Sequence, residues 1–596
     1  MTCRRLVFWL ALTSIPVVAG GQAPSADPLV GLWVSDTTLG PPLHGDLTIM
    51  RSGATVRASL AGATANVRVA SDSILFSFPG NRGAFRGVRS GDGQTIRGFW
   101  IQPEGQLVDP RDPGGTAQRF ATPVLLAAAG PERWRGTIPV LPDRFTLYLN
   151  ISTDTAAQLI AAFRNPEQNS HGGATQYRVT RKRDSIVFSA RPNVRHAAVL
   201  VSPNRLRIFW TDLGRVLELR RRAPHEAPSY LPRPPGEPLY VYRPPAAIRD
   251  GWTTARARDV GLDETALTDL VRRLIASDPA VRRPSLIHSL LVARRGRLVL
   301  EEYFYGFDRN TPHDIRSAGK TFASVMLGAA MNRGTQLSPE TRVYDLLSAM
   351  GPFANPHPGK ARMTLAHLMT HTAGFINDDE IVMQTQKREP NWWKYTLDLP
   401  LGHEPGARYA YSSAGMNLMG AALTFGTRTW LPEFFDRTIA RPLEFGTYFW
   451  NLMPTEEGYL AGGAYIRPRD LIKIGQVYLN GGTWNGARIV DSAWVTLSTS
   501  PHVDVSPATT GMSAEEFPNY YLESQDGFAW HLYQIRVGER AYREYEANGN
   551  GGQFVIVIPE LELVVTFTAG NYGQGGIWGR WRDNIVGATI IPAIRD

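Results

Sequence analysis

Ser317-Ala318-Gly319-Lys320, followed by the apolar run from Phe322 to Met331, is the stretch on which the reading of this chain turns. The run is apolar on all sides, so it reads as a buried helix that the Ser-x-x-Lys motif opens. On a helix, residues three apart share a face, with Cβ atoms about 5–6 Å apart. The Lys320 amine can therefore reach the Ser317 hydroxyl. A serine in the first turn also sits at the positive end of the helix dipole, which favours developing negative charge. Lysine is rare in this chain: Lys182, Lys320, Lys360, Lys387, Lys394 and Lys473 are the whole set. Only Lys320 has a serine three residues before it. Nearly every other cation is arginine, which does not give up its proton near neutral pH. A lysine amine serves as a base once burial and a nearby cation disfavour its charged form. Serines fall near lysines by chance, so the motif alone is not specific.

Working outward, the 596 residues exceed what one core organises. The formal charge of +9 is mild for this length and shows no Lys/Arg cluster with interleaved aromatics, so nucleic acid is not an expected partner. Arg4 and Arg5 precede an apolar stretch, Leu6 to Val18, too short to span a bilayer, and small residues follow at Ala19, Gly20, Gly21 and Ala23. Residues 1–23 are expected to be a signal peptide, making the protein exported, periplasmic or secreted. Cys3 is the only cysteine and would leave with that leader, so the processed chain would have no disulfide, thiolate nucleophile or Cys-ligated metal. No later run of eighteen apolar residues follows, and no stable membrane insertion is expected after cleavage.

Residues 28–221 read as short alternating strands separated by Gly, Pro, Asn and Asp turns. A weak repeat is present. Arg68-Val69 with Asp72 to Ser77 recurs as Arg178-Val179 with Asp184 to Ser189. Each copy has a Trp-opened strand before it, at Trp33 and Trp134, and a Phe-Trp strand after it, at Phe99-Trp100 and Phe209-Trp210. This predicts a duplicated, barrel-like all-β unit, either two small barrels or halves of a larger one, which braces the enzyme or holds a small ligand. Residues 222–250 carry eight prolines and read as a semi-rigid linker. A further domain, 251–596, opens with a helix at Glu264 to Ile275 and a hairpin, Ile287–Val292 and Leu298–Tyr303. It closes with strands Phe554–Pro559 and Leu563–Ala569.

Six ordered segments of this domain carry a resemblance. They are Ile287-His288-Ser289, Arg316 to Lys320, Leu365-Ala366-His367-Leu368-Met369-Thr370-His371-Thr372-Ala373-Gly374, Pro405 to Ser413, Ala461-Gly462-Gly463 with Arg467 to Leu471, and Gly551-Gly552-Gln553. With them, residues from about 252 to the end resemble the penicillin-recognising serine hydrolases, in the branch of class C β-lactamases, D-alanyl-D-alanine carboxypeptidases and family VIII carboxylesterases. The resemblance implies an α/β β-lactamase-like fold, an antiparallel sheet flanked by helices. It also implies three motifs. Ser317 is the nucleophile and Lys320 its base. Tyr411 shares in proton transfer, with Ser413 where the family has Asn. The third motif, normally Lys-Thr-Gly or His-Thr-Gly, falls on Glu546-Ala547-Asn548 or, shifted by one, on Ala547-Asn548-Gly549. Neither register carries the cation that attracts a substrate carboxylate. The oxyanion donors would be the N–H of Ser317 and that of Gly549 or Asn550, with Ser413 and Asn548 also facing substrate.

Other patterns point elsewhere and weigh less. His367 and His371 have the spacing of a zinc pair, but Leu368 replaces the needed Glu and no third ligand is evident, so no metal and no cofactor are expected. No Gly-x-Ser-x-Gly elbow is present, and His171-Gly172-Gly173 reads as a turn. Asp378-Asp379-Glu380 reads as a solvated loop at the rim of the site, and Trp392-Trp393 as either cleft wall or core. The function expected is hydrolysis of a small ester or amide through an acyl-enzyme, with weak or absent β-lactamase activity. The alternative is a catalytically inactive envelope-binding protein, which would have no reason to keep both Lys320 and Tyr411.

Overall fold

The computed structural model describes residues 27–41, 43–105, 119–167, 176–182, 185–191, 194–211, 214–227, 229–281, 283–376, 379–515, 517 and 524–595. The expected leader, the His171-Gly172-Gly173 turn and Asp378 lie outside these residues.

The N-terminal half is all β, and its repeat is interlocked. Strands Asp143–Thr153 to Arg215–Arg222 form a closed eight-stranded barrel together with Gly31–Gly40, the strand that carries Trp33. Gly31–Gly40 pairs with Asp143–Thr153 on one side and Arg215–Arg222 on the other. The Trp134 strand, Arg133–Ile138, pairs instead with Gly45–Ser52 and Arg119–Ala128 in the other sheet. The opening strand of each repeat thus completes the sheet of the other copy. Alternation along the strands turns Trp33, Phe163, Phe188 and Trp210 into the barrel, and His196 stacks on Trp210 with ring centroids 4.1 Å apart. Side chains from the described strands fill the interior.

In the C-terminal half the expected elements fall into place. Helix Glu264–Ile275 is capped by the Asp263 carboxylate, which accepts from the N–H groups of Thr265 and Ala266. An antiparallel sheet runs, in spatial order, Arg297–Tyr303, Ile287–Arg294, Leu563–Ala569, Gln553–Ile558, Arg540–Gly549, His531–Val537, Ser524–Asp526, Val503–Val505. One face packs on helix Thr321–Met331, which follows Ser317, and on helix Pro468–Leu479. The other face packs on Glu264–Ile275 and the C-terminal helical segment Arg582–Ile590. Helix Thr321–Met331 is buried from Thr321 to Ala330, which explains its lack of a polar stripe.

The two halves share a sheet and a core. Strand Trp450–Leu452 of the C-terminal half pairs with Arg119–Ala128, Trp450 opposite Ala121 and Leu452 opposite Arg119. Phe99 and Ile101 join the same apolar cluster as Phe322 and Met326. The proline-rich segment that the composition reads as a linker is a docked strap. Its Tyr242 hydroxyl donates to the Val299 carbonyl at 2.7 Å, and Tyr240 donates to Glu302 at 2.7 Å. Arg164 of the barrel donates to the Ser229 and Tyr230 carbonyls at 2.7 and 2.8 Å. Prolines supply the extended backbone, and tyrosines supply the attachment.

At the end of the strap, buried Asp250 and Glu301 both pair with the guanidinium of Arg469. Removing one partner strands buried charge, which costs more than the pair itself contributes. Arg469→Met should lower unfolding stability by about 3–5 kcal/mol, measured by urea denaturation. A loss below 1 kcal/mol would mean that water reaches these carboxylates.

Candidate active site

Ser317, the expected nucleophile, sits on a tight 3-10 turn, Arg316–Lys320, that runs into the buried helix. Arg316 takes a positive φ of 49°, a conformation that favours glycine and costs a bulky side chain energy. Asp314 secures it: one carboxylate oxygen accepts from the Arg316 N–H at 2.9 Å, and the other pairs with its guanidinium at 2.8 Å. Two glycines clamp the turn. A Cβ on Gly549 would lie 2.6 Å from the Ile315 carbonyl oxygen and 3.1 Å from the Ser317 nitrogen. A Cβ on Gly462 would lie 2.7 Å from the Arg316 oxygen. Backbone therefore lies against backbone on both flanks of Ser317, which only glycine permits.

Lys320 is buried, and its amine donates to Ser317 Oγ at 2.9 Å and to the Ala461 carbonyl at 2.6 Å. The Tyr411 ring lies alongside, its centroid 5.0 Å from Lys320 Nζ. His371 packs on Tyr411 at 4.5 Å between centroids, and its Nδ1 accepts from the Ser412 N–H at 3.2 Å. Burial drives the His371 pKa down to about 3; Asp526 opposes this, while the charges of His531 and Lys320 add to it. A neutral ring beside Tyr411 holds the tyrosine without adding charge.

Ser317, Lys320, Tyr411 and Gly549 are thus brought together, and other expected site residues are not. Ser413 is engaged by Asp379. It opens helix Ser413–Thr427, and its N–H and hydroxyl donate to the two carboxylate oxygens of Asp379 at 2.6 and 3.0 Å. Glu546 lies on the opposite face of the sheet from helix Thr321–Met331, where Arg582 pairs with it at 2.6 Å and with Glu544 at 2.9 Å. Asn548 also turns that way and donates to Glu546 at 2.8 Å. Ala547 points into the core. The carboxylate of Glu546 is therefore paired with Arg582 behind the sheet, on the face away from Ser317. The side chain of Asn550 accepts from the Gly573 N–H at 2.7 Å, leaving its backbone beside Gly549. Trp392 and Trp393 are core residues, and His367 caps its own helix by accepting from the Thr364 N–H at 3.1 Å. Among the described residues no group of three or more His, Cys, Asp or Glu is placed to hold a metal.

No site role for Ala461 or Gly462, or for the His371 ring against Tyr411, is legible from residue type and spacing. Their segments carried the family resemblance, but a carbonyl acceptor and a packing ring leave no mark in side-chain chemistry.

A family model described as Beta-lactamase matches residues 271–576, and the chain belongs to that family. A 6-aminohexanoate-dimer hydrolase from Paenarthrobacter ureafaciens is 22% identical over 253 residues, which cover 39% of this chain and 59% of that relative's length. Among solved structures, a penicillin-binding protein homolog from Caulobacter crescentus is 14% identical with a TM-score of 0.42, covering 54% of this chain and 95% of the other. A D-stereospecific amidohydrolase from Streptomyces sp. is 15% identical with a TM-score of 0.38, covering 50% and 94%.

Two outcomes follow from this geometry. Gly549→Ala should displace the Ser317 backbone and cut turnover about 100-fold while circular dichroism stays native; turnover near wild type would mean the turn yields freely. His371 has a folded pKa below its ordinary 6.5, so the unfolded chain binds the extra proton and stability falls as pH drops from 6.5 towards 3. Relative to His371→Gln, the wild type should lose about 1.4 kcal/mol per pH unit between pH 6 and 4.5. A pH-independent difference would show that His371 is protonated in the fold.

Proposed function

We propose that this chain is an exported serine hydrolase that forms an acyl-enzyme on Ser317, acting as an esterase or amidase on small neutral or D-amino-acid-type acyl substrates. The observation that carries the reading is the 2.9 Å contact between Lys320 Nζ and Ser317 Oγ. In its neutral form the amine takes the hydroxyl proton across that contact as Oγ bonds to the acyl carbon. The developing oxyanion is met by the N–H of Ser317 and that of Gly549 or Asn550. Collapse breaks the bond to the leaving alcohol or amine, which receives the proton through Lys320 and Tyr411. Water then repeats the sequence in reverse order. Export rests on the character of residues 1–23. Amides enter the substrate class through the similarity to the 6-aminohexanoate-dimer hydrolase. Penicillins and cephalosporins carry a carboxylate, and the third motif offers it no cation, so β-lactamase activity is expected to be weak or absent.

The test is a short-chain p-nitrophenyl ester assay together with fluorophosphonate labelling. Ser317→Ala should abolish both. Lys320→Arg keeps the charge but removes the deprotonatable amine, and turnover should fall by about 100-fold or more. Labelling of Ser317→Ala at the wild-type rate would refute the nucleophile, and near-normal turnover of Lys320→Arg would refute the base.

A further inference from the structure

A cavity of about 550 Å³ adjoins the site through Tyr411, with Phe375, Tyr409, Tyr411, Val505, Met512 and Phe517 among its lining residues. Phe375, Tyr409, Val505 and Phe517 are each 5% exposed or less and make an apolar floor. At the mouth, Ile376 and Met512 are 52% and 48% exposed, large apolar side chains left in water. The charged groups on the wall are already engaged. Asp379 spends both carboxylate oxygens on Ser413. Arg408 donates to the Thr510 carbonyl at 2.7 Å and meets the His403 ring at 3.1 Å. A cavity of this size, apolar with a few polar groups at its edge, takes an organic group of benzyl size or larger.

Its place relative to the chemistry says which part of a substrate it takes. Tyr411 belongs both to the cavity wall and to the surroundings of Lys320. The carbonyl oxygen of a substrate must face the Ser317 N–H, on the flank closed by Gly549. The leaving oxygen must lie within reach of the group that hands it a proton, which is on the Tyr411 side. Resting on the serine-hydrolase reading above, we propose that this cavity binds the leaving alcohol of an ester, and that the alcohol is apolar and uncharged. In the step concerned, Ser317 Oγ bonds to the acyl carbon and the carbon–oxygen bond to the alcohol breaks. The alcohol departs from the Tyr411 pocket with the proton that Ser317 gave up.

Methyl, butyl and benzyl acetates share one acyl group and have alcohols of similar acidity, so kcat/KM across them reads the pocket. The wild type should favour benzyl over methyl acetate by about 100-fold, the scale expected for burying several apolar groups. Ile376→Asp and Met512→Asp place charge at the mouth and should each shrink that ratio about tenfold. A flat alcohol series with turnover still dependent on Ser317 would overturn the pocket while leaving the hydrolase reading intact. A mouth variant that shifts preference along a p-nitrophenyl acetate-to-octanoate series instead would assign the cavity to the acyl group and overturn the proposal. Should none of these acetates be turned over, protection of fluorophosphonate labelling by benzyl alcohol over methanol reads the same pocket; equal protection overturns the proposal.

Discussion

The Lys320 amine, held between the Ser317 hydroxyl and the Ala461 carbonyl, is the interaction on which the rest of the molecule depends. An amine buried at the head of an apolar helix needs polar partners, because an unsatisfied charged group there is costly. The fold supplies one partner from its own turn and one from a loop 141 residues away in sequence. Bringing that loop close enough requires Gly462 against Arg316, and bringing the central strand close enough requires Gly549 against Ser317. The two glycines are conditions for the contact.

The same loop ties the site to the N-terminal half. The Asn451 carbonyl accepts from the Tyr459 N–H at 2.9 Å, which fixes the chain that leads to Ala461. Asn451 lies opposite Phe120 in the strand that the C-terminal half adds to the N-terminal sheet. Phe120 packs edge-on against Tyr465 at 5.4 Å on the far side of that loop. The β half thus braces the backbone that holds the amine. The exchanged Trp33 and Trp134 strands tie the two repeats together, since each sheet takes a strand from the other repeat and the Trp33 strand closes the barrel.

Legibility in the sequence followed the range of the interactions. The buried helix, the hairpin and the last two strands are set by local periodicity and turns, and they lie where periodicity puts them. Ser317 and Lys320 are three residues apart, so helical geometry alone brings them together. The partner of Ser413, Asp379, is 34 residues distant and invisible to spacing. The direction of Glu546 is decided by Arg582, 36 residues on, which gathers both glutamates behind the sheet. Proline content suggested a free linker at 222–250, but Tyr230 and Tyr242 in the same segment were the signal of docking. The repeat was visible as text, but the exchange of its opening strands was not, because Trp33 and Trp134 suit either sheet equally well.

Trapping the intermediate puts the central claim to its most direct test. The protein would be mixed with an activated short-chain ester, quenched in acid within the first turnovers, digested and mapped by mass spectrometry. The account predicts an acyl adduct on the peptide that contains Ser317, at Ser317 itself. An adduct on any other residue, or steady turnover with none detectable while Ser317→Ala stays active, would contradict it.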